Sequence, residues 1–150
     1  MIEGSATVTI NRPAPEVFAA VSDITRMGEW SPECTGGRWV APATGPAVGT
    51  EFEGDNVANA GPITLKRWTT TSEVTELVPD KVFEFVAEGY TTWRYDLTET
   101  DGVTTVTESF KYAPQSGWRG FLYGTIARRP AAMAKGAQKT LDRMKAVLES

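Results

Sequence analysis

The chain has 150 residues, enough for one domain with its own core and too few for two comfortable ones. A net charge of −4, with 41% hydrophobic and 23% charged residues, fits an ordinary globular protein and argues against general nucleic-acid binding. No apolar run reaches the ~20 residues of a membrane span.

The opening MIEGSATVTINRPAP has neither the basic nor the apolar region of a signal peptide. One cysteine, Cys34, cannot form an internal disulfide. Both observations set a cytoplasmic location as the expectation.

In chain order, Ala6, Val8 and Ile10 alternate with polar residues, as in a half-buried strand. The period then changes. Pro15 suits a first helical position, Glu16 suits the positive end of a helix dipole, and Val17, Val21 and Ile24 recur at helical spacing. A second short helical turn over TRMGEW ends at Ser31-Pro32, and Gly36-Gly37 is read as the point where the chain reverses. The loop GDNVANAGP is a candidate gate.

From Arg38 onwards, GRWVA, GTEFEGDN, LKRWTTTSEVTEL, KVFEFVAE, TTWRYDLTET and VTTVTESFKYA are each rich in β-formers. Gly45-Pro46, Gly61-Pro62, Pro79-Asp80 and Asp101-Gly102 separate several of them, which predicts an antiparallel meander. The last third returns to helix. Leu122, Ile126, Met133, Ala137, Leu141, Met144 and Leu148 form an apolar stripe, interrupted at Pro130 by a kink or restart. An α+β fold follows: an antiparallel sheet burying one face against a long C-terminal helix, with two short helices after the first strand.

The sheet brings large aromatic side chains to its inner face. Trp93 and Tyr95 are in phase with Leu97, and Phe110 and Tyr112 with Val106. Phe52, Phe83 and Phe85 stand at alternate positions on earlier strands, and Trp68 follows in KRWTTTS. Opposite them, the helical segment offers small residues such as Gly124, Ala127, Ala132, Gly136 and Ala137. Two arrangements satisfy this pattern: large side chains filling the gaps left by small ones, or an apolar cavity between them.

Glu108 falls in phase with Val106 and Phe110. Either a bulge carries it to the surface, or it is buried as a polar anchor, in which case Lys66 is one possible partner. Glu51, Glu53 and Asp55 share the face opposite Phe52 and are expected in solvent. Charge is also uneven: residues 1–113 carry 8 Lys/Arg and 17 Asp/Glu, and residues 114–150 carry 7 and 2. The basic tail either complements the acidic body or makes transient contact with an anionic membrane surface.

Several of these strings, RPAPEVFAAVSDITRMGEWSP, VTELVPDKVFEF, TTWRYDLTET and LDRMKAVLE, resemble the START-like (SRPBCC) helix-grip superfamily in its bacterial polyketide cyclase/dehydrase and lipid-transport branch. The likeness spans the chain. It implies a seven-stranded antiparallel sheet wrapped around the C-terminal helix, with a deep apolar cavity that takes lipids, polyketides or aromatic metabolites.

Conventional catalytic equipment is missing. There is no histidine, no CxxC pair, no G-x-S-x-G elbow and no phosphate-binding glycine motif. Without histidine, and beside Glu29 and Glu33, Cys34 reads as a small apolar filler. Binding or transport of a fatty acid, other lipid or polyketide-like compound is therefore the leading expectation. A cofactor-independent cyclase or dehydratase is the alternative, with Glu108 its candidate acid or base beside Tyr95, Tyr112 and Lys66. The expected lining comprises the aromatics named above together with Leu122, Ile126, Met133, Ala137 and the two tryptophans flanking Cys34, Trp30 and Trp39. No metal and no cofactor are expected.

Overall fold

The computed structural model describes residues 1–114 and 130–150. The strands form one seven-stranded sheet in the order β1-β7-β6-β5-β4-β3-β2, every pair antiparallel. The strands are β1 (Ile2–Ile10), β2 (Cys34–Trp39), β3 (Glu51–Ala60), β4 (Ile63–Val78), β5 (Val82–Ala87), β6 (Thr91–Thr100) and β7 (Val103–Tyr112). On β7, Thr104, Val106, Glu108, Phe110 and Tyr112 are all buried while their neighbours are less so, the signature of one covered face.

The chain leaves β1 at one edge of the sheet and resumes as β2 at the other. Helix α1 (Ala14–Val21) and a 3-10 helix (Ile24–Glu29) make that crossing. Helix α1 begins one residue earlier than Pro15 suggested, with Pro13 as its N-cap. Its first N–H, on Ala14, donates to Glu99 Oε1 at 2.6 Å, so a carboxylate from β6 satisfies an otherwise unpaired donor at the positive end of the helix. Val17, Phe18, Val21 and Ile24 face the sheet and join Ile10, Val74, Phe83, Leu97 and Val106 in the core.

Gly36-Gly37 is not a reversal point. Both glycines lie inside β2, which bulges between Cys34 and Gly36. Close packing is their reason: a Cβ on Gly37 would stand 2.6 Å from the Ile24 carbonyl oxygen, and one on Gly28 would stand 2.3 Å from that of Thr35. The 3-10 helix thus lies backbone to backbone on β2. The segment GDNVANAGP is no open loop either, since β3 continues through it to Ala60 in register with β4.

Helix α2 covers Pro130–Glu149, and the kink or restart expected just before it lies outside the described residues. It packs against β1 and β7. Lys145 Nζ reaches the Thr9 carbonyl at 2.6 Å and Glu149 at 2.7 Å, while Glu149 accepts from the Asn11 N–H at 2.7 Å. Along α2 the inward side chains change size. Leu141 and Met144 fill the core towards the C-terminal end, whereas Ala132, Gly136 and Ala137 occupy the preceding turns. Among the described residues no helix is long and apolar enough to cross a membrane.

Candidate functional site

Where α2 presents its small residues, a cavity of about 200 Å³ separates it from the sheet. Gly136 opens directly onto free space, as a Cβ built there would meet nothing within 4 Å. Phe52 and Phe85 form one wall, in edge-to-face contact with ring centroids 5.0 Å apart. Trp93, Tyr95 and Glu108 form the floor, Met133 and Ala137 the roof, and Trp30 closes the side nearest the 3-10 helix. Arg26 lies over the Trp30 ring, 4.9 Å from its centroid, and holds it from outside.

Glu108 is buried, not carried outward by a bulge. It sits directly opposite Tyr95 in the β6–β7 ladder. Its Oε1 has no hydrogen-bond partner among the described residues. Removal from water pushes the carboxyl up to about 8, against the opposing effect of a hydrogen bond from Tyr95. The same burial, together with Glu108, holds the Tyr95 phenol well above its ordinary range. Glu108 is therefore largely a neutral acid at pH 7, and Tyr95 a neutral phenol. Lys66 does not pair with Glu108. It is exposed on the outer part of β4, where its Nζ lies 5.5 Å from the centroid of the Trp68 ring.

Of the residues anticipated from sequence, Trp30, Phe52, Phe85, Trp93, Tyr95, Glu108, Met133 and Ala137 converge on the cavity. Phe83 is fully buried in the core, stacked towards Tyr95 with centroids 6.5 Å apart. Phe110 and Tyr112 also face inward, but they pack together with Ile2, Tyr90 and Met133 in a second cluster beside the cavity. Trp39 backs Phe52 from outside at 5.6 Å, edge to face. Trp68 stands on the part of β4 that pairs with β3 alone, away from the cavity lining. Leu122, Ile126, Gly124 and Ala127 lie outside the described residues.

A polar wall was not anticipated. Asn56, Thr70 and Ser72 line the cavity from β3 and β4, and Cys34 does so from β2. Asn56 Nδ2 donates to Thr70 Oγ1 and to the Gly54 carbonyl, both at 3.2 Å. The signal was present: Gly54 and Asn56 are in phase with buried Phe52, and Thr70 and Ser72 pair with Gly54 and Phe52. Cys34 donates its thiol to the Gly36 carbonyl at 3.1 Å. Burial pushes that thiol up, as do the charges of Asp55 and Glu33, so the group is a poor nucleophile.

Glu53 and Asp55 point outward, where Arg38 holds them at 3.0 and 2.9 Å. No cluster of three metal-ligating side chains occurs among the described residues. The chemistry open to the cavity is apolar contact, hydrogen bonding and proton exchange at Glu108.

Three solved structures illustrate what the chain is similar to. A polyketide-cyclase-like protein from Corynebacterium glutamicum, Cgl2372, is 31% identical, with 98% of this chain and 91% of that one covered and a TM-score of 0.66. The KanY protein (ms6282) shares 18% identity, covers 99% and 98% of the two chains and has a TM-score of 0.73, a likeness of fold. DynU16, a protein in the dynemicin biosynthetic locus, is 18% identical with a TM-score of 0.65; all of this chain aligns with 48% of that one. No match is found among curated proteins. A family model described as polyketide cyclase/dehydrase and lipid transport matches residues 1–149. With the helix-grip sheet, the small-residue helix and this match across nearly its whole length, the chain belongs to the polyketide cyclase/dehydrase and lipid transport family.

Proposed function

We propose that the chain binds or carries a hydrophobic small molecule, a fatty acid, other lipid or polyketide-like compound, in the cavity between the sheet and α2. The observation that carries this reading is the mismatch of sizes: aromatic rings on the sheet face Ala132, Gly136 and Ala137, and the space between them stays open. Apolar transfer contributes about 0.8 kcal/mol per buried methylene, enough for useful affinity without elaborate polar recognition. Family membership supports the same reading, as does the likeness to a protein from a biosynthetic locus. The compartment expected for such a carrier is the cytoplasm. Lys135, Lys139 and Arg143 are exposed at four-residue spacing on α2, a basic stripe suited to brief contact with an anionic membrane.

The test is native mass spectrometry of the purified protein, followed by organic extraction and tryptophan-fluorescence titration. A co-purifying lipid or polyketide, lost in Gly136→Leu, is the expected result. An empty protein whose fluorescence ignores fatty acids and polyaromatics alike would refute the reading.

One observation favours a second reading, a cofactor-independent cyclase or dehydratase. A carboxyl titrating near 8 beside a buried phenol is poised to protonate a carbonyl oxygen or remove an acidic α-proton. Glu108→Gln abolishing turnover of a poly-β-ketone while sparing its binding would establish that reading over simple carriage.

A further inference from the structure

We propose that the ligand presents an uncharged hydrogen-bond acceptor, such as a ketone or ester oxygen, to Glu108, and that the cavity selects against the carboxylate of a free fatty acid. The inference rests on the reading of the cavity as a hydrophobic ligand site and narrows it.

Its basis is the distribution of charge around the space. The described lining contains two acids, Glu33 and Glu108, and no lysine or arginine. Three basic side chains of the sheet are committed elsewhere. Arg38 holds Glu53 and Asp55, Arg94 holds Glu76, Glu84 and Asp96, and Lys66 covers Trp68. A ligand carboxylate here would lose its hydration beside other acids, with no cation of the described lining to meet it.

Glu108 offers the complementary group. Among the described residues the titratable groups facing it are few. Tyr95 stands opposite on β6, Cys34 lies near Tyr95 from β2, and Ala6 of β1 and Met133 and Ala137 of α2 bring no charge. Burial keeps the carboxyl protonated up to about 8, so one oxygen carries a proton. Tyr95 favours the charged form of the group, yet Oε1 is buried and has no hydrogen-bond partner among the described residues. An O–H in that position lacks only an acceptor, and a neutral carbonyl oxygen supplies one without adding charge.

A matched pair of probes tests this: 2-acetylnaphthalene and 2-naphthoate, which differ in a methyl ketone against a carboxylate. Calorimetric titration of the full chain at pH about 6.5 should show the ketone binding about tenfold or more tighter than the naphthoate. At pH about 9.5, where Glu108 ionises, the ketone should weaken at least about fivefold. Glu108→Gln, which retains a donor at every pH, should lose that pH dependence and keep the ketone. Equal or tighter naphthoate binding, or wild-type ketone affinity indifferent to pH, overturns the inference while leaving the ligand-binding reading standing. Failure of both probes to bind the folded protein overturns the inference, and if fatty acids also leave the fluorescence unchanged, the ligand-binding reading falls with it. The wild-type comparison decides the matter even if the variant does not fold.

Discussion

Replacing Glu108 by Gln should make the protein more stable, and only where the pH is high enough. In the folded chain the carboxyl is held up to about 8, while in the unfolded chain it returns to 4.5. Between those values the folded state holds a proton that the unfolded state has released, so stability falls as pH rises through the window and is level on either side. At about 1.4 kcal/mol per pH unit, the roughly 2.5 units from 4.5 to 7 remove about 3 kcal/mol. Gln resembles the protonated acid in shape and has no proton to lose, so the variant escapes this penalty. Glu29, Asp55 and Glu149 are held below their ordinary range by Arg26, by Arg38 and by the Asn11 amide, respectively. They act in a lower pH range and are common to both proteins. Urea unfolding followed by tryptophan fluorescence at pH about 4, 7 and 8.5 should therefore show near-equal stability at the first value. At pH 7 the gap should be about 3 kcal/mol in favour of Glu108→Gln, or roughly 6–12 °C in midpoint temperature for a chain of this size. A difference that does not change with pH would refute the reasoning, because it would mean that Glu108 is already hydrated or paired in the folded state.

Gly136→Leu should separate stability from binding. The change removes a glycine from a helix interior, worth about 1 kcal/mol, and projects a side chain into open space; a thermal scan should rise while ligand affinity drops about tenfold or more. Trp30→Ala should cost about 3–5 kcal/mol in chemical unfolding, since the ring is almost wholly buried and bridges the 3-10 helix to the cavity. Arg94→Met would leave Glu76, Glu84 and Asp96 facing one another without their shared cation. The expected loss is about 1–2 kcal/mol, shrinking in about 1 M salt as the repulsion is screened, and a salt-independent loss would contradict it. Cys34 should react slowly with thiol reagents at neutral pH, and cavity ligands should slow it further, because its thiol is half-buried, is pushed up by desolvation and lines the same space; alkylation rates read by mass spectrometry check both statements.

Much of the architecture was legible without coordinates because it depends on local periodicity. The inward set on β7 and the stripe Met133, Ala137, Leu141, Met144 on α2 follow from repeat lengths that each element enforces on itself. The contrast of aromatic strands with a small-residue helix was likewise visible, and it is the origin of the cavity. Periodicity failed where glycine was read as punctuation: Gly36-Gly37 marks a close approach between backbones, a relation to Ile24 that no local pattern encodes.

What the sequence determined by itself was which side chains turn inward. Which of them meet was decided only by tertiary structure, since register and the position of α2 depend on packing between distant segments. Phe83 and Phe85 share one strand face, yet one is core and the other is wall, because α2 is filled by Leu141 and Met144 at one end and left open at Gly136 at the other. The same cause put Glu108 on the cavity wall. Its strand phase placed it inward, but only the pairing of β6 with β7 set it against Tyr95, and only the outer course of β4 carried Lys66 away from it. A buried acid with a phenol for a neighbour and no cation on the described lining is a fact of three dimensions, because the desolvation that keeps it neutral is imposed by residues remote in the chain.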